Sequence, residues 1–142
     1  MKDSNSNFIT EPENEYNSNR DFTSLECWKK CNETKIFFYQ NIIPKLSPNE
    51  KFNLDIQIRK AAVSITANIA EGYGRFHFRE GIQFYRISRA SLYELKDHLI
   101  SCKEFGYIDQ IDFSLGTDLI EESKKILNGY INFVKRKLKH NQ

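Results

Sequence analysis

What this chain lacks narrows its class before any motif is considered. No apolar run approaches the ~18 residues of a membrane-spanning helix. The N-terminus, MKDSNSNFITEPENEYNSNR, has no apolar stretch of the kind that drives secretion. There are only three cysteines, an odd number with no Cys-x-x-Cys pair. That excludes a disulfide framework and suits reduced thiols in a cytoplasm. No segment of useful length alternates apolar and polar residues, so no sheet is expected.

Catalytic patterns are missing too. No glutamate is followed by histidine three residues later, the spacing by which helical bundles hold paired iron. GYGRFHF at 72–78 lacks the third glycine of a dinucleotide fingerprint and the Gly-Lys-Ser/Thr of a phosphate loop. It also follows a helical segment, where those motifs follow a strand. Cys27 with Cys31 and His98 with Cys102 are i, i+4 pairs that would make a zinc set on composition. In a bundle they would lie about 20–30 Å apart, at opposite ends of parallel helices. No metal, cofactor or catalytic residue is expected, and the chain is not expected to be an enzyme.

What is present is aromatic and amphipathic. Eleven Phe and seven Tyr make a real core feasible in 142 residues. Net charge is only +2, but residues 1–26 carry six acids against two bases. The remainder is therefore basic, and the stretch from Lys124 to Gln142 has six Lys and Arg with no acid. That asymmetry suits a polyanionic partner. It equally suits basic residues gathered at a helix C-terminus. Residues 1–20, rich in Asn, Ser and Glu, read as a disordered leader, and residues 21–142 as one domain.

Four helices are expected in that domain. The first runs from about Thr23 to Ile43, with Leu25, Trp28, Ile36, Tyr39 and Ile43 near one face. SPNE at 47–50 then opens the second, with Ser47 as N-cap, Pro48 at the first helical position and Glu50 closing a capping box. It is stopped at Glu71 by Gly72 and Gly74. The third spans about Phe78 to Phe105 and ends at Gly106. A fourth starts near Asp112 or Ser114, with Leu119, Ile126, Leu127, Tyr130, Val134 and Leu138 as its stripe and Gly129 as a weak point. Short connections favour an all-α, up-down-up-down antiparallel four-helix bundle.

The segment QIRKAAVSITANIAEGYGR, 57–75, is apolar on two sides. Leu54, Ile58, Ala61, Ala62, Ile65 and Ile69 share one arc, and Phe52, Ile56, Val63, Ala67 and Ala70 share nearly the opposite one. One arc fills the core. The other implies self-association, because a large exposed apolar patch is a liability on a soluble monomer. The alternatives are a deeply buried helix or a covering leader. In the third helix Phe84, Ser88, Ser91, Leu92, Leu95, Leu99 and Cys102 share an arc, its serines read as small rather than catalytic.

Two basic surfaces are candidates for nucleic acid. Arg75, Arg79, Arg86 and Arg89 run from the turn into the third helix beside Phe76, His77, Phe78 and Tyr85. Arginine pairs with phosphate, and aromatics stack on unpaired bases. Lys135, Arg136, Lys137 and Lys139 form the second surface. Each also has a bland reading, as core-interleaved or solvated charge.

Three segments, FTSLECWKK, QIRKAAVSITANIAEGYGR and SRASLYELKDHLISCKEFGYI, resemble in order and spacing the 23S rRNA-intervening sequence proteins. The resemblance covers about residues 22–138, with SI-x-ANIAEG-x-GR its most specific part. Thr66 stands where that family often has proline and Ala90 where it often has glycine, and both changes regularise a helix. The resemblance implies an antiparallel bundle that assembles as a homo-oligomer, with a pentameric ring the associated form. It also implies a kinship to the accessory protein of diversity-generating retroelements, linked to nucleic acid and a protein partner. It carries over no catalytic residues. Two functions remain: a non-catalytic oligomer that binds structured RNA or DNA, or a structural oligomer or protein-interaction scaffold that does not.

Overall fold

Helical periodicity becomes four α-helices and no strand among the described residues. The computed structural model describes residues 21–140. The expected leader, residues 1–20, lies outside them. The helices are α1 (Glu26–Phe37), α2 (Leu54–Gly74), α3 (Phe78–Glu104) and α4 (Gln110–His140).

Their ends follow local chemistry, and several differ from expectation. Asp21 caps a short 3-10 turn, Phe22–Ser24, by accepting from the Thr23 amide at 3.0 Å, and α1 starts only after it. α1 also gives way early, at Phe37, to a π-helical turn over Phe38–Ile42 and a 3-10 turn over Ile43–Lys45. Cys27, Cys31, Thr34, Phe38 and Ile42 face inward at ordinary helical spacing, while Ile36, expected on the core face, lies on the opposite side of α1 and is exposed.

The expected capping box at Ser47 is not formed. The Ser47 hydroxyl accepts from the Asn49 amide (3.2 Å), but the 3-10 turn it opens ends at Glu50. The Glu50 carboxylate reaches forward, accepting from the Leu54 amide (3.4 Å) and from the Tyr107 hydroxyl (2.8 Å). α2 thus begins at Leu54. It also runs on through Gly72 to Gly74. Gly72 is no stop: a Cβ there would meet Tyr85 Cε1 at 2.6 Å and the Gly81 carbonyl oxygen at 2.9 Å. The glycine lets α2 and α3 touch.

α3 ends as the sequence predicts. Gly106 takes the left-handed conformation (φ 79°), while the Gly106 and Tyr107 amides donate back to Lys103 and Cys102. α4 starts earlier than expected because the Asp109 carboxylate caps it, accepting from the Asp112 amide at 2.8 Å. The helix then continues unbroken across Gly129.

Cross-helix contacts show that each neighbouring pair is antiparallel. Lys35 donates to Thr66 (3.0 Å), and Arg59 stacks over Tyr39 (5.2 Å) between α1 and the π turn on one side and α2 on the other. Gly72 meets Phe84 and Ser64 meets Ser91 (2.7 Å) between α2 and α3. Arg89 donates to Asn128 (2.9 Å) and Lys96 pairs with Glu121 (2.8 Å) between α3 and α4. Thr34 lies 2.8 Å from Ser123, and Lys45 pairs with Asp112, closing the circuit from α1 and its exit turn to α4. The bundle is therefore up-down-up-down.

The core runs along its axis. Ile58, Ile65, Ile69, Leu92, Leu95, Leu99, Ile120 and Leu127 are completely buried, each stabilising by about 1.5–3 kcal/mol. Tyr85 and Tyr130 meet edge to face at 5.0 Å between α3 and α4.

Candidate nucleic-acid interface

The antiparallel register decides where the basic residues go. Arg89 against Asn128 and Tyr85 against Tyr130 align the start of α3 with the end of α4. The α2–α3 turn and the start of α1 lie at this same end. Two segments more than forty positions apart in sequence, Arg75–Arg89 and Lys135–Lys139, thus form one basic end of the bundle.

The individual cations differ in availability. Arg79, Arg86, Lys135, Arg136 and Lys139 are exposed. The Arg75 guanidinium is held: it pairs with Glu71 at 2.9 Å and lies 4.9 Å from the centre of the Phe84 ring. Arg89 is half-buried and donates to Asn128, so its charge is committed to the α3–α4 seam. Lys137 is half-buried, with its ammonium 5.9 Å from the Phe133 ring. Acids are present here as well: Glu71 on Arg75, the exposed Glu80, and Asp21 and Glu26 at the start of α1.

Of the aromatics expected beside the arginines, Tyr85 is fully buried and Phe78 packs partly against the core. Phe76 and His77 stay at the surface. Phe76 has an unexpected backbone. It follows α2 with φ 56°, the left-handed region, while its ring meets Tyr73 edge-on at 6.3 Å. For a residue with a bulky side chain that conformation costs about 1–3 kcal/mol. Nothing in the local sequence signals it, since glycines stand nearby at 72 and 74.

The second apolar arc of α2 lies outside the bundle. Phe52, Ile56 and Val63 are 75%, 38% and 48% exposed, Ala67 is exposed and Ala70 is half-buried. Its flanks are polar and tied to neighbours. Thr66 accepts from Lys35 on the α1 side. On the α3 side Ser64 bonds Ser91, while Asn68 donates to the Ser64 hydroxyl (2.8 Å) and carbonyl (3.0 Å). Ser88 donates to the Ile65 carbonyl at 2.6 Å. The α3 serines thus join helices.

All three thiols are buried. Burial pushes Cys31 up to about 12, partly offset by its hydrogen bond with Ser123. Burial, followed by the nearby Glu50 charge, pushes Cys102 to about 11. Such thiols are poor nucleophiles and poor ligands at neutral pH. Among the described residues no group of three or more His, Cys, Asp or Glu could hold a metal ion. No described helix is long and apolar enough to cross a membrane.

The sequence model of one family, described as 23S rRNA-intervening sequence protein, matches residues 23–129. No curated protein matches the chain.

Proposed function

The chain belongs to the 23S rRNA-intervening sequence protein family, and from that premise we propose that it is a non-catalytic, oligomeric bundle that binds structured RNA or DNA. The observation that carries this reading is the single basic end. Arg79, Arg86, Lys135, Arg136 and Lys139 are all exposed there, contributed by two helices whose antiparallel register makes them neighbours.

Assembly multiplies the effect. The outer face of α2, from Ile56 to Ala70, together with Phe52 in the turn before it, is the surface on which subunits meet, because it is apolar, lacks a partner helix among the described residues and offers small side chains for close approach. The family resemblance implies a pentameric ring. In a ring each basic end is repeated, and a modest charge per subunit becomes a multivalent field for a polyanion. The reduced, buried cysteines fit a cytoplasmic setting.

A second reading, an oligomeric or protein-interaction scaffold with no nucleic acid, is favoured by one observation: Arg75 and Arg89 are already engaged by Glu71 and Asn128. Fluorescence anisotropy of a labelled structured RNA and a matched DNA duplex, titrated with salt, separates the two. Binding that falls linearly on a log–log salt plot supports the first reading. No binding at low salt, where attraction is strongest, leaves the scaffold.

A further inference from the structure

At the basic end of the bundle, α4 outruns α1. Thr34 of α1 meets Ser123 of α4 at 2.8 Å and the Leu119 carbonyl at 3.3 Å, which sets the register of the two helices. α1 begins about two turns before Thr34, at Glu26, while α4 continues for more than four turns beyond Ser123, to His140. The end of α4 therefore projects past the start of α1 by on the order of 10 Å. On its other side α4 keeps a neighbour. The Arg89–Asn128 and Lys96–Glu121 contacts carry Phe78, the first residue of α3, to about the level of Leu138. The corner that α1 leaves open is thus lined by the last turns of α4, which carry the exposed Lys135, Arg136 and Lys139. Among the described residues these three form no ion pair, and neither do Arg79 and Arg86 on α3.

The chain enters the bundle at this same corner. Asp21 caps the turn Phe22–Ser24, which packs against α1 and α2, with Phe22 edge-on to Trp28 at 5.4 Å. The segment before it, residues 1–20, lies outside the described residues, but its charge is written in the sequence: Asp3, Glu11, Glu13 and Glu15 against Lys2 and Arg20. Three of those acids stand together in EPENE, 11–15. The tether from Asp21 back to them spans at most about 20–35 Å. Neighbouring helices lie only about 8–10 Å apart, so every cation of this end is within its reach.

We propose that Glu11, Glu13 and Glu15 dock in the open corner on Lys135, Arg136 and Lys139, and that this acidic segment competes with nucleic acid for the basic end. Each exposed pair is weak by itself. A short tether makes the contact intramolecular, at an effective concentration of order millimolar, so a few weak pairs suffice to occupy the site. A polyanion that engages more of the cations, and releases its own counterions, displaces them. The competition adds a regulation to the nucleic-acid reading above and rests on it; the docking does not.

The test uses the full chain, first without nucleic acid. A zero-length carbodiimide joins a carboxylate to a lysine amine only where the two touch, and peptide mass spectrometry locates the link. Links from Glu11, Glu13 or Glu15 to Lys135 or Lys139 are expected at low salt and are lost at about 1 M salt, where the screening length falls to about 3 Å. The full-length Glu11→Gln/Glu13→Gln/Glu15→Gln variant then binds a labelled structured RNA about ten-fold more tightly than wild type at low salt, and the gap closes as salt rises. Links spread evenly over Lys51, Lys60 and Lys103, or no links at all, overturn the docking. The expected links with equal RNA affinity in variant and wild type overturn the competition. RNA bound by neither protein removes the nucleic-acid reading and the competition with it, while the links still decide the docking.

Discussion

Tyr107 donates its hydroxyl to the Glu50 carboxylate at 2.8 Å, tying the entry of α2 to the α3–α4 turn. Together with the Lys45–Asp112 pair it fastens the end of the bundle opposite the basic one. The same carboxylate caps α2 through the Leu54 amide, so one side chain serves both a helix start and a tertiary contact.

That bond makes a pH prediction. Hydrogen bonding to Glu50 raises the Tyr107 phenol above its ordinary 10.0. A raised folded value means the stabilisation is complete below pH 10 and is lost as pH rises through that higher value. At the acid side, hydrogen bonds from Lys96 and then Lys124 hold Glu121 below its ordinary 4.5. Its contribution is present above 4.5 and fades as pH falls through the lower folded value. Tyr107→Phe is expected to remove the alkaline component of the stability profile measured by urea unfolding, and Glu121→Gln the acid one. Both effects are small because these groups are solvent-accessible.

The glycines separate cleanly. Gly72→Ala drives a methyl into the Tyr85 ring and the Gly81 carbonyl, and should cost about 1–3 kcal/mol. Gly116→Ala behaves similarly, because its Cβ would lie 2.8 Å from Leu99 Cδ2. Gly129→Ala meets nothing within 4 Å and should stabilise by up to ~1 kcal/mol through helix propensity. Chemical denaturation of the three variants gives the order.

Thr34 and Ser123 form a buried polar pair, with Thr34 also donating to the Lys30 carbonyl at 3.1 Å. Thr34→Val strips Ser123 of that partner and is expected to cost about 1–3 kcal/mol. Adding Ser123→Ala recovers part of the loss by removing the hydroxyl that Thr34→Val leaves without its partner, while Cys31 loses its own hydrogen bond with Ser123. A double-mutant cycle in urea measures the coupling; strict additivity would show that the pair does not interact.

Val63 tests assembly. It is 48% exposed on the outer face of α2, so Val63→Glu leaves the fold intact by circular dichroism. The native mass by light scattering is expected to fall to that of a smaller species. An unchanged oligomer would move the subunit contact off this face.

The bundle was legible in the sequence because long amphipathic segments and short connections leave few alternatives, and Gly106 acts as the stop it resembles. Features set by tertiary contact were not. Ile36 reads as core by its spacing from Leu25 and Trp28, but the buried face of α1 is the one that carries Cys27, Cys31 and Thr34. Glu50 reads as half of a capping box, yet Tyr107, far along the chain, turns it forward. Gly72 looks like a terminator because the ring it accommodates, Tyr85, lies on another helix. The two basic runs read as separate surfaces, and only the register of α3 against α4 makes them one end. The left-handed Phe76 had no signal at all, since glycine is what such a position normally displays.

The central claim is that the basic end, and not charge in general, binds nucleic acid. Its most direct test is the salt dependence of RNA binding for two variants of matched charge change. Arg79→Glu with Arg136→Glu reverses the basic end, and Lys51→Glu with Lys103→Glu reverses the opposite one. The account predicts that the first variant binds more weakly and that its log–log salt slope shrinks by about one for each phosphate it no longer neutralises, while the second stays close to wild type. Equal weakening in both variants, or none in the first, would contradict it.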